Sequence, residues 1–156
     1  MTEQVRLGEE HPQSDRAQLL MLAAFICVWA GDSFLLRLTV YGCLAPWPLR
    51  VALGVALASA GVYLVRESHR LVIESTSPRL VDSGVYGLSR HPMYLGIVLV
   101  YLGLATSTLS ASALAVWVVT LLIYDRFAAY EERDIEARLG DAYSVYRDRV
   151  KRWMLF

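Results

Sequence analysis

The chain has 156 residues, of which 56% are hydrophobic and 19% are charged, whereas average soluble proteins carry about 25% charged residues. This composition excludes a disordered chain, and a content of two cysteines excludes a scaffold held together by disulfides. Fifteen basic residues balance fifteen acidic ones, so the sequence offers no general basic field for a nucleic-acid partner. The length is typical of a single domain covering residues 1–156.

The charged residues are unevenly distributed along the chain. None of them occurs in the 34 residues from His91 to Tyr124, and uncharged stretches also cover Ala17–Gly31 and Val51–Val65. Apolar stretches of about 18 residues or more are typical of transmembrane helices. The sequence therefore predicts an all-α integral membrane protein with about four transmembrane helices, followed by an amphipathic cytoplasmic helix at the C-terminus.

Four apolar spans are predicted between a polar leader and a charged tail. The acidic leader Met1–Arg16 does not fit a secretory signal, and we expect it to be a disordered tail. Asp32, near the end of the first span, is expected to reach the membrane surface or to pair with Arg37. Pro92 suits the first turn of the third span, and small residues after this span predict a tight hairpin with the fourth. The spans are predicted at about Ala17–Leu36, Trp47–Val65, Met93–Thr108 and Ala111–Tyr124.

The C-terminal tail, residues 125–156, is charged but carries apolar residues at a helical period. Their spacings of three and four predict one apolar stripe on a helix that lies at, or just beyond, the membrane surface. Gly140 is a candidate break in this helix. The stripe consists of Ile135, Leu139, Tyr143, Tyr146, Val150 and Trp153.

The basic residues favour one side of the predicted membrane. The leader, the segment between spans two and three, and the tail together hold 13 Lys and Arg residues, whereas the opposite loops hold Arg37 and Arg50. The positive-inside rule then places both termini in the cytoplasm, which agrees with an even number of spans. Arginine provides 14 of the 15 basic residues, which favours a GC-rich bacterial source and hence a bacterial inner membrane.

Two polar segments flank the predicted hairpin and contain the residues that can support chemistry. Because packed helices lie within roughly 10 Å of each other, we expect these residues to share one cytoplasm-facing pocket. The segments place no Ser or Cys nucleophile beside a base and supply no metal-ligand cluster. Their cations, carboxylates and aromatic rings suit a soluble zwitterionic ligand with an aromatic base. The expected pocket residues are Arg90, His91, Tyr94, Arg126, Glu131 and Glu132.

Three motifs follow one another in the second half of the chain. They are Gly84-Val85-Tyr86-x-x-x-Arg90-His91-Pro92-x-Tyr94-x-Gly96, then Glu131-Glu132, and then Gly140-x-x-Tyr143-x-x-Tyr146-x-x-x-Val150. Together they resemble the isoprenylcysteine carboxyl methyltransferase and phospholipid methyltransferase family of integral membrane enzymes. The resemblance covers about residues 80–150.

This resemblance implies an enzyme that uses S-adenosylmethionine as its methyl donor. Methyl transfer from a sulfonium needs no covalent nucleophile, which agrees with the residues present. The candidate catalytic residues are Arg90, Arg126 and Glu132. Arg90 or Arg126 would orient the acceptor, and Glu131, Glu132 or His91 would take the proton from an amine acceptor. The expected acceptor is lipophilic: a prenylated cysteine, a phospholipid amine, or a small isoprenoid or aromatic acid. The cofactor site is expected to contain Tyr86, His91, Pro92, Met93, Tyr94 and Glu131.

Two other functions stay open at this point. NADPH-dependent sterol and steroid reductases carry a similar Arg-His-Pro-x-Tyr-x-Gly segment, usually with Asn before the Tyr and an acidic residue after the Gly. This chain has Met93 and Ile97 at those places. A non-enzymatic membrane scaffold or transporter subunit is the other alternative, although transport favours ionisable groups at mid-depth in the membrane. The sequence does not indicate an oligomeric state.

Overall fold

The computed structural model describes residues 12–74 and 80–154, and all structural statements below refer to these ranges. The first eleven residues of the predicted disordered leader lie outside them, whereas residues 12–16 already belong to the first helix. The helices are α1 (Pro12–Ala30), α2 (Trp47–Glu74), α3 (Pro92–Thr108), α4 (Ala111–Leu139) and α5 (Asp141–Arg149).

Three helical stretches are long and apolar enough to cross a membrane, and α3 is a shorter apolar helix of 17 residues. The three stretches are Arg16–Leu36, α2 and α4; the first of them joins α1 to a π-helical segment at Gly31–Leu36. Large apolar side chains such as Leu20, Leu53 and Leu122 are exposed on their outer faces. A lipid bilayer accommodates such a surface, whereas water would penalise it. The prediction of an all-α membrane protein is confirmed.

Helices α2 and α3 pack with their backbones in contact through two pairs of glycines. Gly54 faces Gly103, and Gly61 faces Gly96, so the two helices run antiparallel. A Cβ atom added to Gly96 would lie 2.6 Å from the carbonyl oxygen of Gly61, and one added to Gly103 would lie 2.5 Å from that of Gly54. Glycine at each of these positions therefore sets how closely the helices approach, as small residues do between helices in lipid.

Helices α3 and α4 form the predicted tight hairpin. Pro92 occupies the first turn of α3, and Leu109 ends the helix in a left-handed conformation with φ of 53°. Ser110 follows as the N-cap of α4, where its hydroxyl oxygen accepts a hydrogen bond from the backbone N–H of Ala113 at 3.1 Å. A two-residue connection of this kind keeps the far ends of α3 and α4 side by side.

Asp32 lies at the hairpin-turn end of the bundle, and its predicted pairing with Arg37 does not describe its contacts. Its carboxylate accepts hydrogen bonds from the hydroxyls of Thr39 and Ser110, at 2.6 and 2.5 Å, and Arg37 is exposed. The pair with Arg37 does not form because the chain turns back after Arg37 and brings Thr39 over the α3–α4 turn. Asp32 thus ties the loop after α1 to the hairpin.

The C-terminal tail is helical as predicted, and its first part continues α4. Helix α4 runs without interruption through Tyr124 to Leu139, and Gly140, with φ of 54°, makes the predicted break before α5. The apolar stripe faces the protein rather than the membrane surface: Tyr143 and Tyr146 are 2% and 4% exposed. Its members pack on Leu80 because α5 folds back against α4. The end of the bundle at which α5 lies is called the α5 end below.

Candidate active site

At the α5 end, the start of α3 meets the middle of α4. The hydroxyl of Tyr94 on α3 donates a hydrogen bond to Oε1 of Glu131 on α4. His91, the N-cap residue of α3, places its Nδ1 atom 3.5 Å from Oε2 of the same carboxylate. Both ring groups therefore converge on Glu131. The hairpin brings together the two sequence segments that were expected to share a site.

Glu132 is buried beneath this group and is held by two guanidinium groups. Arg90 approaches its two oxygens through Nε and Nη2 at 3.0 and 3.3 Å. Arg152 approaches them through Nε and Nη2 at 3.0 and 2.8 Å. Glu132 is 6% exposed, and burial of an anion is tolerated where cations and hydrogen bonds replace water. These two bidentate guanidinium–carboxylate pairs fix the position of Glu132.

His91 lies between the two adjacent glutamates. Its Nε2 atom is 3.2 Å from Oε1 of Glu132, while Nδ1 faces Glu131. Its ring is stacked on that of Tyr94, with centroids 5.7 Å apart and planes 4° from parallel. Burial on its own lowers the pKa of an imidazole, but the hydrogen bonds and charges of the two carboxylates outweigh it and raise the pKa of His91. The site therefore favours the imidazolium at its centre.

Arg152 is a member of the cluster that the sequence analysis missed. It follows α5 in an irregular segment that returns to the start of α3: the backbone N–H of Arg90 donates to the carbonyl of Lys151 at 3.0 Å. The hydroxyl of Ser89 donates to the carbonyl of Arg152 at 2.6 Å. The signal that could have found it is the basic run at the end of the chain, which was counted for membrane orientation alone.

Arg126 is not brought into this cluster, although it was expected there. It is exposed on α4, and five residues of a helix with 3.6 residues per turn place it about 140° around the axis from Glu131. The neighbouring Asp125 does point toward the site, where it accepts a hydrogen bond from Nη1 of Arg152 at 3.1 Å. Arg126 therefore lies on a face of α4 that turns away from Glu131 and Glu132.

The remaining predicted site residues lie on the N-terminal side of Tyr94. Pro92 is fully buried and Met93 is half-buried, both in the first turn of α3. Tyr86 lies in a short 3₁₀ turn, and its carbonyl accepts a hydrogen bond from the hydroxyl of Tyr146 at 2.7 Å. Tyr86 thus connects the motif segment to α5.

Exposure differs sharply within the cluster. His91 and Tyr94 are 8% and 3% exposed, whereas the side chain of Glu131 is 33% exposed. A carboxylate that is oriented by a tyrosine hydroxyl and an imidazole but is still one-third exposed can accept further hydrogen bonds from an ammonium or hydroxyl group. Arg90 has fewer N–H donors left for a ligand, because its Nη1 also donates to the carbonyls of Arg147 and Val150. Glu131 is therefore the member best placed to meet a soluble ligand.

Comparison with known proteins identifies methyltransferases. A model of the phospholipid methyltransferase family matches residues 49–141, which contain nearly all of α2, the whole of α3 and α4, and the residues His91, Tyr94, Glu131 and Glu132. Methanethiol S-methyltransferase 1 of Bradyrhizobium diazoefficiens is 34% identical over 83 residues, which cover 53% of this chain and 28% of that protein. No solved structure shows a significant match. Since the family match covers more than half of the chain, this membrane protein belongs to the phospholipid methyltransferase family.

Proposed function

We propose that the protein transfers a methyl group from S-adenosylmethionine to a lipid-like or membrane-associated acceptor. The observation that carries the proposal is the convergence of Tyr94 and His91 on the partly exposed carboxylate of Glu131. The family assignment supports methyl transfer over the NADPH-dependent reductase and the non-enzymatic scaffold.

The residues around Glu131 fit the chemical groups of S-adenosylmethionine. Its ammonium and ribose hydroxyls are donors, and the carboxylate of Glu131, whose side chain is 33% exposed, accepts hydrogen bonds. Its carboxylate is attracted by the positive charge of an imidazolium, and the raised pKa of His91 favours that form. The rings of Tyr94 and Tyr124 stack with centroids 4.9 Å apart and are buried, so they form the apolar base of the site. The charges and hydrogen-bonding groups around Glu131 thus match the cofactor.

We assign the roles accordingly. Glu131 binds the cofactor's ammonium or ribose, while His91 and Tyr94 hold its carboxylate and adenosine end. Met93, half-buried in the first turn of α3, lines the entrance, and the buried Pro92 fixes the start of that turn. Tyr86, which contacts α5 through its carbonyl, closes the outer side of the same cofactor site.

The cofactor, when bound, supplies an activated methyl group on a positively charged sulfur, so the protein has mainly to position the reactants and exclude water. Arg90 and Glu132 contribute to positioning, because their buried pair fixes the segment that carries His91. Tyr94, Tyr124 and Trp153 contribute to the exclusion of water through the apolar cluster at the base of the site. No residue is required to form a covalent bond with the methyl group.

The acceptor approaches from the membrane. The exposed apolar faces of the helices allow a lipophilic molecule to reach the site sideways, while the soluble cofactor enters from the cytoplasm. The relative named above acts on methanethiol by its name, and the family is named for phospholipids, so a thiol and a phospholipid amine are the acceptors to test first. With an amine, Glu131 would take the proton lost on methylation. Arg126, exposed on α4, is a cation available to an acidic headgroup.

The α5 end faces the cytoplasm in this proposal, because it carries most of the arginines and the positive-inside rule favours that side. Both termini are then cytoplasmic, and the membrane is a bacterial inner membrane. Reaction of single cysteines with a membrane-impermeant thiol reagent would test the orientation. In a Cys27→Ser variant, Cys43 is the single cysteine, and its labelling reports on the side of the membrane opposite the α5 end.

Methyl transfer is tested by following isotopically labelled methyl from S-adenosylmethionine into acceptors with the purified protein in lipid nanodiscs. We expect label in the lipid or thiol fraction and S-adenosylhomocysteine in equal amount. Glu131→Gln should lower the rate, while Glu136→Gln, which alters a surface ion pair with Arg147, should not. Absence of label from a panel of phospholipid amines, prenylated thiols and small thiols would contradict the proposal.

A further inference from the structure

The segment after α5 is fixed on both sides of Arg152. Before it, the carbonyl of Lys151 accepts the backbone N–H of Arg90 at 3.0 Å. After it, Trp153 is 4% exposed and donates from Nε1 to Oδ1 of Asp125 at 2.9 Å. Ser89 adds a bond to the carbonyl of Arg152 itself. The backbone of Arg152 is thus held against the start of α3 and the middle of α4.

The side chain of Arg152 makes contacts that a surface arginine does not make. It binds both oxygens of the buried Glu132 through Nε and Nη2, and it binds Asp125 through Nη1 at 3.1 Å. Bidentate pairing fixes the plane of a carboxylate as well as its position. The plane of Glu132 in turn decides where its Oε1 atom meets the imidazole of His91, at 3.2 Å.

We propose that Arg152 is a positioning residue of the active site, which holds Glu132 so that the imidazole of His91 is fixed opposite Glu131. The inference rests on the proposed function, since it assigns a role within that site. Arg152 lies outside the range matched by the family model, so the role comes from the contacts of this chain.

The charge of Arg152 also acts on His91. Both residues contact the same oxygen of Glu132, Arg152 through Nε at 3.0 Å and His91 through Nε2 at 3.2 Å. A cation at this separation disfavours a second cation, so its removal should favour the imidazolium. The charged or titratable groups that face His91 from the neighbouring elements are Arg90, Tyr94, Glu131, Glu132 and Arg152.

The first test observes His91 directly and needs no catalysis. The chain has three histidines, so labelled histidine gives few ring signals, and His91→Gln identifies the relevant one. In Arg152→Gln we expect the pKa of His91 to rise, whereas Arg152→Lys keeps the charge and should leave it at the wild-type value. Arg149→Gln, which alters an exposed ion pair with Asp82, is the matched control and should not move it.

The second test measures methyl transfer in the same variants. Loss of a residue that orients a ligand of a metal site typically costs about 10- to 100-fold, and by analogy we expect Arg152→Gln, which acts on His91 through Glu132, to lower kcat/KM by a similar factor. Lysine cannot form the bidentate pair, so we expect the kcat/KM of Arg152→Lys to fall about 10-fold while its melting temperature stays near that of the wild type. If Arg152→Gln does not fold, the kcat/KM of Arg152→Lys tests the positioning role.

A wild-type kcat/KM in Arg152→Lys, or an unmoved pKa of His91 in folded Arg152→Gln, would overturn the positioning role. Failure of the wild-type protein to bind the cofactor would overturn the proposed function instead. The histidine titration separates these results, because it reports on the contact of Arg152 with Glu132 whether or not methyl transfer occurs.

Discussion

Tyr94 and Glu131 are separated by 37 residues, lie on successive helices, and are joined by a hydrogen bond from the tyrosine hydroxyl to the carboxylate. This contact connects the Arg-His-Pro-x-Tyr segment at the start of α3 with the glutamate pair on α4. The α3–α4 hairpin makes it geometrically possible, because a two-residue turn leaves the other ends of these helices in contact. The carboxylate that results is oriented by its partners and remains partly exposed.

Glu131→Gln is expected to weaken binding of S-adenosylhomocysteine by about 10- to 100-fold. A hydrogen bond to a charged group contributes about 1.5–3 kcal/mol, and the amide removes that charge while it keeps the size of the side chain. Isothermal titration calorimetry measures the effect. Glu136→Gln is the matched control, since Glu136 lies on the same helix and pairs with Arg147 at the surface. Equal affinities in folded Glu131→Gln and wild-type protein would show that Glu131 does not bind the cofactor.

Glu132→Ala is expected to reduce the free energy of unfolding by about 3–5 kcal/mol, because it leaves Arg90 and Arg152 without their shared buried partner. Denaturant unfolding in detergent measures this loss. Asp134→Ala, which removes an exposed pair with Arg138 on the same helix, should change stability little. Similar losses in the two variants would contradict the assignment of Glu132 as the buried centre of the cluster.

Gly96→Ala is expected to destabilise the protein by about 1–3 kcal/mol, because the new methyl group would press on the backbone of α2 at Gly61. The helices would have to separate along their whole contact. Gly31→Ala is the control, since a Cβ atom there has nothing within 4 Å. The melting temperatures of the two variants give the comparison. An equal effect of both substitutions would show that the α2–α3 contact is looser than described.

The stability of the protein should depend on pH through His91. Since the folded protein raises the pKa of His91, the imidazolium contributes stability that is fully present below about pH 6.5. This contribution is lost as the pH rises through the value in the folded protein. We expect the melting temperature of the wild type to fall over that interval more than that of His91→Gln. Parallel curves for the two proteins would contradict the description of His91 between two carboxylates.

The sequence predicts the parts of the fold that depend on local signals. Pro92 marks the start of α3, the small residues after Thr108 mark the turn, and Gly140 marks the break before α5. The meeting of Tyr94 with Glu131 also follows from local signals, because a hairpin brings together whatever flanks it. These features need no knowledge of the rest of the chain.

Contacts between distant segments are the part that local signals do not determine. The pairing of Arg152 with Glu132 depends on Trp153 docking beside Asp125, and the hydrogen bonds of Asp32 depend on the path of the loop that carries Thr39. The position of Arg126 outside the cluster does not depend on distant contacts, because the helical period alone places it on another face of α4. That residue was misplaced because proximity in sequence was taken for proximity in space.

The most direct test of the central claim, that the site around Glu131 binds S-adenosylmethionine, is isothermal titration calorimetry on the purified wild-type protein. S-adenosylmethionine, S-adenosylhomocysteine and NADPH are titrated separately into the same preparation. We expect saturable binding of the first two compounds at one site per chain and no heat of binding with NADPH. Binding of NADPH with no binding of S-adenosylmethionine or S-adenosylhomocysteine would contradict the claim.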